Sequence, residues 1–389
     1  MKYDFDESVS RRETDSLKWD GMKSFFGRDD LMPLWVADMD FRTPPFVIEA
    51  LRKRLEHEIL GYSLKDKGYY TSIINWVAMR YGWEIRKEWI HFMPGVVPAL
   101  ALAINYYTKP GDKVLVQPPI YHPFHLVPSR NHRTVVWSPL RYEQGILVFD
   151  AERFKRDVQG CKLFILCNPH NPGGKVWERK ELEYMAEVCR ESGTLVISDE
   201  IHADLTFSPF AHVPFASVSE AARMNSITLH APSKVFNMPG MASAHAIIPN
   251  SEIREEYYRF LDNNELANGN LFSSIAVTAA YTHGTEWLEQ MLDYVSGNIR
   301  LIADYCKERI PLIRPILPQA SYLVFLDCRE LGLPHSELIR LFEEKAGLAL
   351  SEGSMFGKEG EGFMRLNAGC PRSFLIRALG ILEAAVEAR

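Results

Sequence analysis

The feature that most constrains this chain is an alternation between residues 112 and 250. The short apolar runs "DKVLVQPP", "RTVVWSPL", "CKLFILCNP", "GTLVISDE", "NSITLHAPS" and "ASAHAIIPN" are separated by longer segments with helical spacing, such as "ERKELEYMAEVCRES". Runs this short and this apolar suit strands buried on both faces. Strands that re-enter a sheet in the same direction need a crossover, usually a helix. The pattern therefore predicts an α/β fold with a largely parallel sheet between helices. After Gly284 the pattern changes to one long helical segment, "TEWLEQMLDYVSGNIRLIADYCKERI", followed by "ASYLVFLDC", "GFMRLNAGC" and the helical "RSFLIRALGILEAAVEA". These predict a large domain over 46–284 and a smaller α/β domain over 285–389. Residues 1–45 are too short to fold alone and are expected to pack as an arm on the small domain or reach towards a neighbour.

Composition narrows the partners. The 389 residues are 47% hydrophobic and carry a formal net charge of -6 with no long basic block, which argues against nucleic acid and membrane surfaces and for a small-molecule partner. The N-terminus lacks the apolar core of a signal peptide, and no stretch approaches about 18 uninterrupted apolar residues, so a cytoplasmic location is expected. The six cysteines are scattered through apolar segments without C-x-x-C, which suits reduced buried thiols better than disulfides or zinc. "HPFH", His122 to His125, looks like a metal pair, but its prolines spoil helical spacing and no third ligand stands out, so no metal site is expected. Serine-hydrolase, P-loop and dinucleotide signatures are missing from the sequence.

In open α/β sheets, ligands sit beyond the carboxyl ends of the strands. Those ends carry unusual groups here. "GTLVIS" runs into Asp199 and Glu200, "CKLFILC" into Asn168 through Gly174, and "NSITLHAPS" into Lys234, while Tyr121 follows "DKVLVQPPI". Lys234 stands in "LHAPSKVFNMPG", a stretch with no acidic residue. A lysine kept from counter-charge and water favours its neutral amine, the form that attacks a carbonyl. A Schiff-base lysine, an acid for a ring nitrogen and an amide facing a phenolic oxygen are the fittings pyridoxal phosphate needs. Singly, each has a plainer reading. Asp199 could cap the next segment, "NPGG" could be only a turn, and Arg365 could end a surface ion pair.

Four motifs in order, "NPHNPGG", "SDEIHADL", "APSKVFNMPG" and "RLNAGCPRS", resemble the signatures of fold-type I pyridoxal phosphate enzymes of the class I/II aminotransferase superfamily. "LMPLWVADMDF" and the histidine of "DEIH" narrow the resemblance to the MalY/PatB cystathionine β-lyase (C-S lyase) branch. That resemblance implies that Lys234 forms the Schiff base with the cofactor and later moves the substrate Cα proton, and that Asp199 pairs with the pyridine nitrogen. Asn171 and His202 would address the ring's 3-oxygen side, and Tyr121 would stack on its face and share in proton transfer. The phosphate would meet backbone N–H groups of Val96 and Val97, where Gly95 allows close approach at a helix N-terminus. Arg365 would grip the substrate α-carboxylate, with Ala37 and Asn171 also at the substrate. Tyr62 would reach the phosphate of an adjoining subunit, making a homodimer with shared active sites the working unit. Ala231 stands where many relatives carry a serine three residues before the lysine, so Ser233 is expected to complete the phosphate cup.

The implied reaction is β-elimination from a sulfur amino acid, releasing thiol, pyruvate and ammonia. An aminotransferase is the main rival, because it uses the same first steps. A cofactor-bound regulatory protein that acts by binding a protein partner is a third possibility.

Overall fold

The computed structural model describes residues 2–65, 67–143, 145–266 and 268–389. The predicted alternation builds a seven-stranded sheet. Its strands are β1 (Ile90–Met93), β2 (Lys113–Val116), β3 (Thr134–Trp137), β4 (Cys161–Cys167), β5 (Leu195–Asp199), β6 (Ser226–His230) and β7 (Ala244–Ile247). Their spatial order is β1-β7-β6-β5-β4-β2-β3. The run β3-β2-β4-β5-β6 is parallel, and β7 is antiparallel to both neighbours. Strand β1 has no counterpart in the sequence reading.

Successive residues of a strand point to opposite faces, and β4 shows how this sheet uses both. Leu163 and Ile165 join a core with Leu100 and Ala103 of helix α1 (Val96–Tyr107), whereas Phe164 and Leu166 join another with Leu182 and Met185 of helix α2 (Arg179–Ser192). Fully burying each such side chain contributes roughly 1.5–3 kcal/mol, which is why these strands read as unbroken apolar runs.

Helix α3 (Thr285–Arg309) leads into a four-stranded antiparallel sheet of β8 (Arg314–Ile316), β9 (Leu323–Asp327), β10 (Ser351–Glu352) and β11 (Phe363–Asn367), in the order β8-β9-β11-β10. Helix α4 (Arg372–Glu387) closes the chain. Strands β8 and β10 are too short to have been legible. Among the described residues no helix is long and apolar enough to cross a membrane.

The N-terminal segment is threaded into this second sheet region. Met32–Pro33 pairs in parallel with Leu348–Ala349. The Asn367 backbone N–H donates to the Leu34 carbonyl, and its side-chain amide donates to the carbonyls of Val36 and Asp38, both at 2.6 Å. Asn367 Oδ1 accepts from Gly369 N–H at 2.8 Å. One buried amide thus fixes a strap, residues 34–38, against the end of β11. Asn367→Ala takes the amide from the Val36 and Asp38 carbonyls and the Gly369 N–H, at about 1–3 kcal/mol for each group left unpaired, while the Asp38 carbonyl keeps its contact with Lys18. The expected outcome is a lower unfolding midpoint together with faster hydrogen exchange confined first to residues 34–39. Unchanged exchange in the strap would contradict it.

Candidate active site

The sheet register brings the carboxyl ends of four strands to one edge. Cys167 lies level with Asp199, Asp199 with Leu229, and His230 with His245. Met93 at the end of β1 is level with Ala244, so the Pro94–Gly95 turn reaches the same edge. Asp199, Asn171, Lys234, Tyr121 and the start of α1 therefore converge, as expected from residues that follow parallel strands.

Asp199 is buried, and its carboxylate accepts one backbone bond, from Ile201 N–H at 3.0 Å. Burial pushes its pKa up to about 7, despite the opposing pull of the Ile201 N–H and Lys234. A carboxylate so placed favours a cationic partner. Lys234 faces a cleft, and its amine donates to the Ala37 carbonyl at 2.6 Å. Loss of water around the amine lowers its pKa to about 8, with Asp38 and Asp199 opposing and Arg365 assisting. The lysine is thus not remote from acids: two carboxylates absent from its own stretch of sequence approach it in space. His202 is buried with Nδ1 unpartnered, and burial, then Lys234 and Arg365, lower its pKa to about 3, so the ring is neutral.

Arg365 comes from β11 and is only 4% exposed, so it is not part of a surface ion pair. Its guanidinium donates to Asn171 Oδ1, the Trp35 carbonyl and Ser351 Oγ, each at 3.1 Å, and lies 4.8 Å from the centre of the Phe356 ring. Its Nε is buried without a partner, and burial lowers its pKa to about 10, which leaves it charged at neutral pH. A buried, uncompensated guanidinium with a spare donor fits an incoming carboxylate. The Tyr121 backbone N–H donates to the Asn171 carbonyl at 3.1 Å, and burial raises the phenol's pKa.

Gly95 has φ 125°, in the region that favours glycine, and precedes α1 with no side-chain cap. The first N–H groups of that helix, those of Val96 and Val97, lack intrahelical partners and carry the positive end of the helix dipole. Ser233 is 9% exposed, directly before Lys234. These donors fit a phosphate, and the buried Asp199 carboxylate fits a protonated ring nitrogen. Tyr62 stands apart from this cluster, fully exposed on the segment between the helices Pro45–Leu55 and Lys67–Tyr81.

Three groups were not legible in the sequence. Tyr322, before β9, donates to the same Ala37 carbonyl at 3.0 Å. Ser351 and the Trp35 carbonyl orient Arg365. None follows a parallel strand, and only the fold shows their role.

These features coincide with a known class of protein. The chain belongs to the family aminotransferase class I and II, which matches residues 29–382. Within reach of it are the cystathionine β-lyase PatB of Bacillus subtilis, 40% identical over 98% of this chain and 99% of the relative, and the protein MalY of Escherichia coli, 35% identical over 99% of both. Among solved structures, cystalysin from Treponema denticola, which contains a pyridoxal 5′-phosphate cofactor, superposes with a TM-score of 0.96 at 33% identity over the whole of both chains. A PLP-bound C-S lyase from Staphylococcus hominis gives 0.92 at 32% identity, over 99% of this chain and 98% of the other.

The raised pKa of Asp199 has a consequence for the cofactor-free chain. A folded-state value of about 7 against an ordinary 3.8 means that the folded state holds a proton the unfolded state has lost. The protonated acid is tolerated at low pH, and the penalty grows as pH rises from about 4 to about 7. Asp199→Asn removes that penalty. Without cofactor, the variant is expected to melt above the wild type at pH 8 and to lose that advantage by pH 4, as scanning calorimetry would show. An advantage independent of pH would contradict the assignment.

Proposed function

We propose that this protein is a pyridoxal 5′-phosphate-dependent carbon–sulfur β-lyase acting on a sulfur-containing amino acid. The observation that carries the reading is the placement at one sheet edge of Lys234, an amine depressed to about 8, and Asp199, a buried carboxylate with no salt bridge among the described residues. The names and full-length similarity of the lyase relatives support the same reading.

When bound, the cofactor supplies an electron sink that accepts the electron pair left on the substrate Cα. Lys234 would carry the cofactor and would also serve as the base that takes the substrate Cα proton, its depressed pKa favouring the neutral amine. Asp199 would hold the ring nitrogen protonated, Asn171 and neutral His202 would address the 3-oxygen side, and Tyr121 would cover the ring. The Val96 and Val97 N–H groups, with Ser233 in place of the serine replaced by Ala231, receive the phosphate. Arg365 binds the α-carboxylate between Asn171 and the strap at Ala37. The Cα electron pair would form the Cα–Cβ double bond as the Cβ–S bond breaks, Lys234 or Tyr121 would give the departing sulfur its proton, and water would hydrolyse the remaining three-carbon fragment to pyruvate and ammonia.

Homodimerisation completes the reading. Tyr62 lies with Ile59, Leu60 and Leu64 on an exposed apolar stretch, the kind of surface a second copy covers. Tyr62 then serves the phosphate of the partner's site.

The test is incubation of the pure holoprotein with cystathionine, following pyruvate and free thiol against amino transfer to a keto acid. Equal yields of pyruvate and thiol are expected, with Lys234→Ala lowering turnover by several orders of magnitude. Keto-acid-dependent amino transfer without pyruvate would establish an aminotransferase instead.

A further inference from the structure

Beneath the strap lies a partly buried cluster of two cations and two carboxylates that the proposed chemistry does not use. Arg11 bridges Asp38, at 2.7 Å, and Asp40, at 2.9 Å. Lys18, wholly buried, contacts Asp40 Oδ2 at 2.5 Å, donates to the Asp38 carbonyl at 3.3 Å, and has its ammonium 4.0 Å from Asp38 Oδ1. Trp19 Nε1 donates to Asp40 Oδ1 at 3.0 Å. On the far side of the strap, Asn237 Oδ1 accepts from Met39 N–H, and its amide donates to the carbonyls of Met39 and Phe41. Asn237 lies three residues after Lys234, so the strap is tied at once to the lysine's own loop and to the cluster.

Removing such charges from water costs several kcal/mol per ion, and apolar residues of similar size commonly stabilise a fold equally well. What an ion cluster adds is placement and a local field. Both act here on Lys234. The strap carbonyl of Ala37 accepts from its amine, that of Trp35 accepts from Arg365, and Asp38 approaches the amine from the strap. A cavity of about 660 Å³ lined by Arg11, Ala37, Asp38 and Lys234 joins cluster and lysine.

We propose that Arg11 and Asp38 are positioning residues for the cofactor-carrying lysine: Asp38 favours the cationic form of the Lys234 nitrogen, and Arg11, braced by Asp40 and Lys18, limits that effect and fixes the Ala37 carbonyl. The groups facing the Lys234 nitrogen are Asp38 from the strap, Asp199 from the end of β5, the neutral His202 after it and Arg365 from β11; Tyr322 shares its carbonyl acceptor. Those facing Asp38 are Arg11, Lys18, Lys234 and Tyr322. Arg11 is therefore the cation whose removal exposes Asp38 to Lys234 with the least disturbance, because it is the most exposed member of the cluster.

The inference rests on Lys234 carrying the cofactor, so the experiment separates the two. Holoenzyme is titrated by the pH-dependent visible absorbance of the cofactor, and borohydride trapping with peptide mapping locates the attachment. With attachment at Lys234, Arg11→Met is expected to raise the titration midpoint and Asp38→Asn to lower it, each by about 1 pH unit, with the double variant returning towards wild type. Arg11→Lys, which keeps the charge, is expected to stay near the wild-type midpoint while kcat falls up to about 100-fold from misplacement. A merely structural cluster would move both single variants in one direction or neither. Midpoints shifting together, or not at all, with the cofactor on Lys234, overturn the inference alone; attachment at another lysine overturns the proposed function with it.

Discussion

The structure depends on keeping water away from one carboxylate. Asp199 ends a strand buried on both faces, and the five parallel strands around it can be so apolar only because helices cover both sides of the sheet. The same burial that stabilises the sheet raises the acid to about 7 and depresses the facing lysine to about 8. Neither group is at ease without a partner. A cofactor that carries both a protonated aromatic nitrogen and a carbonyl carbon would meet both groups at once.

The second sheet region acts on this arrangement through the strap. Arg365 and Ser351 come from neighbouring strands of the small sheet, in register with each other, and Tyr322 sits at the start of a third. Asn367, two residues after Arg365 and on the same face of β11, holds the strap carbonyls that bracket the site. Groups from the beginning, middle and end of the chain therefore meet within one cleft. Such a cleft tolerates little slack, because the Trp35 and Ala37 carbonyls that meet Arg365 and Lys234 alternate along the strap with the Val36 and Asp38 carbonyls held by the buried Asn367 amide.

How much of this was legible in the sequence follows from which forces are local. The parallel strands showed as apolar runs, and Asp199, Asn171, Lys234 and Tyr121 showed as the residues that follow them, because the carboxyl-edge rule depends on connectivity alone. Arg365 showed through resemblance rather than position. Strand β1 did not show, and the edges β8 and β10 could not, since two or three residues carry no period. The electrostatic surroundings of Lys234 were misread in one respect: a sequence window without acids suggested isolation, whereas Asp38 and Asp199 arrive from segments 196 and 35 positions away. Tyr322 and Ser351 act through a carbonyl and a guanidinium supplied by other elements, which no local pattern encodes.

In the proposed reaction Asp199 holds a proton on the cofactor ring. The nitrogen-15 chemical shift of ring-labelled pyridoxal phosphate bound to the protein, compared between wild type and Asp199→Ala, reads that proton. A protonated ring nitrogen is expected in the wild type at pH 8 and an unprotonated one in the variant. A neutral ring nitrogen in the wild type, or an equal shift in both proteins, would contradict it.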